Sequence, residues 1–213
     1  VAPNDSGEYP TIQAAINASI DGDTISMENG RYQGPGNRDL DFAGRSILLK
    51  SRSGNPINCL IDSDGTEDDR HRGIWFHSGE TSASVVEGIT IEDGYHFGGG
   101  AILCEGGASP TFRNVVFYKN RVSAVRCEGG TPVFLDCTFR DNLASGLICD
   151  GGSSVSLVRC LVMQNYSDYS GAGVSNLSSS LLLQDCVFLR NGAVFSGVWR
   201  LVFSCFPGFT PRS

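Results

Sequence analysis

The sequence predicts an all-β fold: a solenoid of short parallel strands wound into stacked coils, closed at its start by an amphipathic helix. Three observations predict it. "ILCEGG" at 102–107 returns as "VRCEGG" at 125–130 and "LICDGG" at 147–152. Between these returns, apolar and polar residues alternate in short runs split by Gly, Asn or Asp, which is the period of strands and not of helices. The 27 glycines of the 213-residue chain supply the tight turns that such a fold needs.

The elements follow in order. In "PTIQAAINASIDGDTISMENGRY" (10–32), Thr11 is a candidate N-cap, and Ile12, Ala15, Ile16 and Ser19 fall on one helical face. "DGDT" stops the helix and "TISM" reads as a first strand. A helix here covers the open first coil, as an exposed sheet end requires. The coils come next. Aligning 104–120, 127–142, 149–165 and 175–191 gives five columns. They are Asn120/Asn142/Asn165/Asn191, Phe117/Phe139/Val162/Phe188, Val115/Cys137/Cys160/Cys186, Phe112/Phe134/Leu157/Leu183, and Cys104/Cys127/Cys149, which Ser175 breaks. An earlier half-coil, "VEGITIEDG", places Val86, Ile89 and Ile91 in the apolar columns and Gly94 in the Asn slot.

A period of about 22 to 26 residues holding several short strands predicts about seven to eight coils, each pairing with the next at ~4.8 Å. Apolar columns then form one continuous core. Two reasons are assigned to the Asn column: tolerance of a left-handed turn backbone, and an amide ladder from coil to coil. The organisation is a single domain over 1–213, with a cap at about 8–32, coils at about 33–192 and an atypical segment at 193–213. That last segment carries Trp199, Leu201, Val202, Phe203, Phe206 and Phe209. It is expected to cap the last coil or to form a homodimer interface.

Composition narrows the function. A formal net charge of -7 argues against nucleic acid, which needs a basic stripe, and against anionic membrane. No apolar run is long enough for a membrane-spanning helix, so membrane insertion is not expected. No signal peptide is visible from Val1 onward. Eight cysteines form no CxxC or Cys/His cluster, so a structural zinc site is not expected. Stacked neighbours lie close enough for disulfides, but their parallel side-chain directions make the dihedral awkward. Buried free thiols are the preferred reading.

On the stretches "GGGAILCEGGASPTFRNVVFYKN" (98–120) and "TPVFLDCTFRDN" (131–142), the chain resembles the right-handed parallel β-helix proteins of the pectin-lyase-like superfamily. Residues 9–32 look like that family's N-terminal cap, and 41–65 and 72–95 like its early coils. The resemblance covers roughly 8–192 and implies a right-handed parallel β-helix, secreted or at the cell surface. The superfamily hosts lyases, hydrolases, esterases, adhesins and inert shafts, so its fold alone names no activity. The "GHG" and "RIK" segments of the family's polygalacturonase-like hydrolases are missing. Gln33 follows Tyr32 where the methylesterases carry glutamate. The leading reading is therefore a glycan- or protein-contacting module without catalysis. The alternatives are a lyase or hydrolase of acidic polysaccharides, and a structural shaft from a longer repeat protein.

Candidate site residues fall in three groups. "DSDGTEDDRHRG" (62–73) offers Asp62, Asp64, Glu67, Asp68 and Asp69 as oxygen ligands for Ca²⁺, with His71 or Arg70 as a base beside them. Asp68, Asp69 and His71 are its catalytic candidates; Asp64, Asp68 and Asp69 are its metal candidates. Glu105, Glu128 and Asp150 form a second candidate, an outward column of carboxylates one coil apart that recruits a cation or stays solvated. Tyr95, Tyr118 and Tyr166 are candidate sugar-stacking aromatics. His77 and His96 read as turn or packing residues, because no ligand cluster accompanies either.

Overall fold

The structure, a computed structural model, describes residues 1–3, 7–168 and 171–193. Each coil lays down one strand in each of three sheets, and each strand pairs in parallel with the strand one coil away. The first sheet runs from Thr24–Met27 to Ser180–Gln184 and has seven strands. The second runs from Gly30–Tyr32 to Val187–Leu189 and also has seven. The third has six, from Leu40–Asp41 to Val174–Asn176. These are six full turns and part of a seventh, close to the number that the period predicts.

The helix Ile12–Ala18 starts where the sequence places it. Thr11 caps it by accepting a hydrogen bond from the Ala14 N–H, and Ile12, Ala15 and Ile16 are buried against the first coil. The core is the predicted set of columns. Phe112 stacks on Phe134 with ring centres 4.7 Å apart, and Phe117 packs at a tilt against Phe139 at 4.8 Å. Cys104 pairs in register with Cys127, and Cys127 with Cys149. Seven cysteines (59, 104, 127, 137, 149, 160 and 186) are buried and unbridged. Cys205 and the apolar segment beyond residue 193, with its predicted cap or homodimer role, lie outside the described residues.

The structure corrects two expectations. Cys149 pairs with Asn176, not with Ser175. The last coil has one residue fewer in its turn: Gly151 to Ser153 and Asp150 lie between Cys149 and Ser154, whereas only 177–179 lie between Asn176 and Ser180. An alignment anchored on the downstream strand therefore slips by one. The second correction concerns the Asn column. The left-handed corner residue is the one before each asparagine: Lys119 (φ 50), Asp141 (φ 57), Gln164 (φ 54) and Arg190 (φ 54).

The asparagines act through their amides alone. Asn120 Nδ2 donates to Asn142 Oδ1 at 3.0 Å, Asn142 Nδ2 to Asn165 Oδ1 at 2.7 Å, and Asn165 Nδ2 to Asn191 Oδ1 at 2.9 Å. Their second amide hydrogens reach core-facing carbonyls, Asn142 to Phe117 O and Asn165 to Phe139 O. Buried backbone groups at this corner are thereby satisfied, as a solvent-free turn requires. Gly94 takes the same slot, its N–H donating to Asn120 Oδ1.

Candidate functional site

The third sheet carries the site. Its strands alternate, so "GIWFH" buries Ile74 and Phe76 and turns Trp75 outward. Register then fixes one outward column across the coils: Asp41, Trp75, Leu103, Arg126, Ile148 and Ser175. Two residues further along each strand, on the same face, come His77, Glu105, Glu128 and Asp150.

Trp75 is the centre of this face. It is 38% exposed, yet it is fixed. Its Nε1–H donates to Glu105 Oε1 at 2.7 Å, and its ring stacks on His77 with centroids 3.8 Å apart. His77 Nε2 in turn lies 3.4 Å from Asp41 Oδ2, an ion-pair distance without hydrogen-bond alignment. An indole held by a carboxylate and an imidazole keeps a set orientation that a free surface tryptophan would not have.

The predicted acidic column exists, and its groups have partners. Arg126 Nη2 lies 2.8 Å from Asp150 Oδ2 and 3.3 Å from Glu128 Oε2. Arg126 and Glu128 are two residues apart on one strand, hence on one face. The hydrogen bond to Asp150 holds the guanidinium above its usual range. Glu105 serves Trp75. The three carboxylates thus meet an arginine and an indole.

Two loops between the second and third sheets, 63–73 and 93–101, rise beside Trp75 as a wall. They are joined by the Tyr95 N–H donating to His71 O at 2.9 Å and by Arg70, whose guanidinium carbon lies 4.1 Å from the Phe97 ring centre. Within the wall, His71 bridges two carboxylates, Nδ1 to Asp39 at 2.5 Å and Nε2 to Asp69 at 3.0 Å. Both ring nitrogens of His71 therefore face carboxylates. Asp64 and Asp69 each lie 3.8 Å from Arg38, and Asp68 is exposed. Asp62, read as part of this loop, belongs instead to the second-sheet strand Cys59–Asp62, buried and bound by Arg31 at 2.7 Å. Among the described residues, no three His, Cys, Asp or Glu side chains converge as a metal ligand set.

The tyrosines do not share a face. Tyr118 sits on the second sheet beneath Arg140, whose guanidinium carbon is 3.8 Å from the ring centre. Tyr166 lies in the small sheet that pairs with Gly192–Ala193, and Tyr95 stands in the wall loop. The residues that sequence reasoning missed are Trp75 and Arg72. Trp75 was legible in the alternation of "GIWFH". Arg72 was not, because its surroundings come from loops of two different coils.

These parallel sheets, coil register and turn geometry define a β-solenoid. The chain belongs to the family described as right handed beta helix region, whose model matches residues 23–191, and the coil is therefore right-handed. Two solved structures are similar in fold. One is a pectin methylesterase from carrot, 14% identical at a TM-score of 0.59, covering 91% of this chain and 62% of that one. The other is a pectin methylesterase from Aspergillus niger, 16% identical at a TM-score of 0.56, covering 92% and 67%. The chain thus spans about two thirds of the length of either structure. No curated protein matches.

Proposed function

We propose that the protein is a secreted or surface β-helix module that contacts a polysaccharide through the outer face of the third sheet, without catalysis. The observation that carries this reading is Trp75: a half-exposed indole fixed between Glu105 and His77, flanked by polar groups set by coil register. Oriented aromatics with a few convergent polar groups are what sugar and small-molecule sites use to gain contact area and direction. The two pectin methylesterases of similar fold support a polysaccharide as the ligand class, on fold analogy only. The non-catalytic part of the reading is supported by the missing catalytic segments of the family's hydrolases and by Gln33 standing where its methylesterases carry glutamate.

The test is binding to a panel of neutral and acidic polysaccharides, with ultraviolet absorbance to detect unsaturated cleavage products. Binding without cleavage is the expected result. Cleavage products would move the reading to the lyase class, and binding to none of the panel would remove the glycan reading altogether.

A further inference from the structure

His77 stands between an indole and a carboxylate, and no hydrogen bond ties its ring to either. The ring stacks on Trp75 with centroids 3.8 Å apart and planes 27° apart. Its Nε2 is buried and lies 3.4 Å from Asp41 Oδ2, yet makes no hydrogen bond among the described residues. Asp41 is itself fixed. Its Oδ1 accepts from the Ala43 N–H at 2.7 Å, and its backbone N–H donates to Gln13 Oε1 at 2.8 Å. A carboxylate of the preceding coil is thus aimed at an imidazole nitrogen.

The other charged groups around His77 are engaged. Glu105, from the following coil, accepts from Trp75. Glu80, in the turn after the strand, accepts from the Gly44 and Ser78 N–H groups at 2.9 and 3.0 Å. Arg72 lies 5.5 Å from the indole ring and meets His96 Nε2 at 3.1 Å. Among the described residues, only Asp41 brings a carboxylate within ion-pair distance of the His77 ring.

Neutral and protonated imidazole fare differently in this setting. A neutral ring meets the carboxylate without an aligned bond and stacks on the indole as one plane on another. A protonated ring carries an N–H at Nε2 and a positive charge. It gains a charge-assisted bond to Asp41 by a small rotation, and cation–π attraction to the indole. Both gains act on one ring, which then joins Asp41 to Trp75.

We propose that His77 is a pH-sensitive latch on Trp75: protonation ties the indole to Asp41 through the imidazolium, and deprotonation leaves it tied to Glu105 alone. The proposal rests on the reading of Trp75 as a polysaccharide contact and adds its regulation, tighter binding in mildly acid than in mildly alkaline solution. Cation–π attraction at a solvent-facing site corresponds to a roughly two- to fivefold change in affinity.

The first arm of the test needs no ligand. Trp75 emission is followed from about pH 8 to about pH 5 in the full chain with Trp199→Phe, which leaves one indole. An imidazolium in contact with an indole takes electron density from its excited state, so emission is expected to fall in a single step as imidazole titrates. His77→Gln is expected to abolish the step. His77→Phe keeps an aromatic ring against the indole but takes no proton, so it is expected to abolish the step even where glutamine disturbs the fold. No step in the parent, or a step that survives in either folded variant, overturns the latch and leaves the sugar reading intact. In the second arm, affinities for dextran and sodium polygalacturonate are compared at the two ends of that range. Roughly two- to fivefold tighter binding at the acid end, lost in His77→Phe, upholds the regulation. Equal binding at both ends, or a difference that survives in His77→Phe, overturns it, again with the sugar reading intact. A step abolished by both variants, with neither polysaccharide bound at either pH, upholds the latch and removes the sugar reading.

Discussion

Trp75 Nε1 donates to Glu105 Oε1 across 2.7 Å, from one coil to the next. The two residues are thirty apart in sequence but only one strand apart in the third sheet, so the coil period alone brings them together. The bond fixes the indole, and a fixed indole is what separates a binding surface from an exposed apolar side chain. Replacing Glu105 with Ala should leave the fold unchanged, since the carboxylate is outward, and weaken glycan binding several-fold by freeing the ring. Circular dichroism and affinity measurement on the same variant check the two halves of this prediction.

The Asn column predicts a large stability effect at a single position. Asn142 Oδ1 accepts from both the backbone and side-chain nitrogens of Asn120, and its own amide reaches Asn165 and Phe117 O. Asn142→Ala leaves several buried groups unpaired at once, so a loss of about 2–4 kcal/mol is expected in denaturant titration. A loss below about 1 kcal/mol would mean that the corner holds without its amides.

A core substitution gives a second estimate. Phe134 stacks on Phe112 and touches Phe117 and Phe139, and it is fully buried. Phe134→Ala should cost about 3–5 kcal/mol, and Phe134→Leu considerably less, because leucine already fills the same column at Leu157.

The thiols give a chemical test. Burial pushes the Cys59 thiol up to about 12, and hydrogen bonding with Cys137 raises Cys160 to about 12. Both are protonated and inaccessible at neutral pH. The seven buried cysteines should resist iodoacetamide in the native protein and react once denaturant unfolds the coils. Rapid native labelling of any of them would show that the coils open locally.

Stability should also depend on pH through Glu92. Desolvation raises its carboxyl, and Arg31, which it contacts, offsets this only in part. A folded-state value above the unfolded one means that the folded chain binds the proton more tightly. The stabilising contribution is then complete below the ordinary glutamate range and is lost as pH rises through the raised folded value. Stability is expected to decline over that window, and Glu92→Gln to flatten the decline. A parent whose stability rises across the same window would contradict it.

Much of this was legible in the sequence. The apolar columns, the capping helix with Thr11 at its start and Gly94 in the Asn slot follow from a period that repeats in the chain itself. The slip at Ser175 was not legible, because a turn that shortens by one residue leaves no mark when the residues around it are all Ser and Leu. The role of asparagine was half legible. Its amide bonding followed from stacking, but the left-handed backbone belongs to Lys119, Asp141, Gln164 and Arg190, which share no side-chain type. For the site, period-two alternation gives the direction of Trp75 and of the acids Glu105, Glu128 and Asp150. It does not give their partners. Arg72 meets His96 only because two loops from successive coils pack together, and no local pattern in either loop encodes that meeting.

Trp75→Ala is the most direct test of the site. The ring is outward, so the variant should keep the parent's melting temperature within a few degrees and lose binding to whichever polysaccharide the parent retains, by at least tenfold. Undiminished binding by a folded Trp75→Ala variant would contradict the assignment of this face as the contact surface.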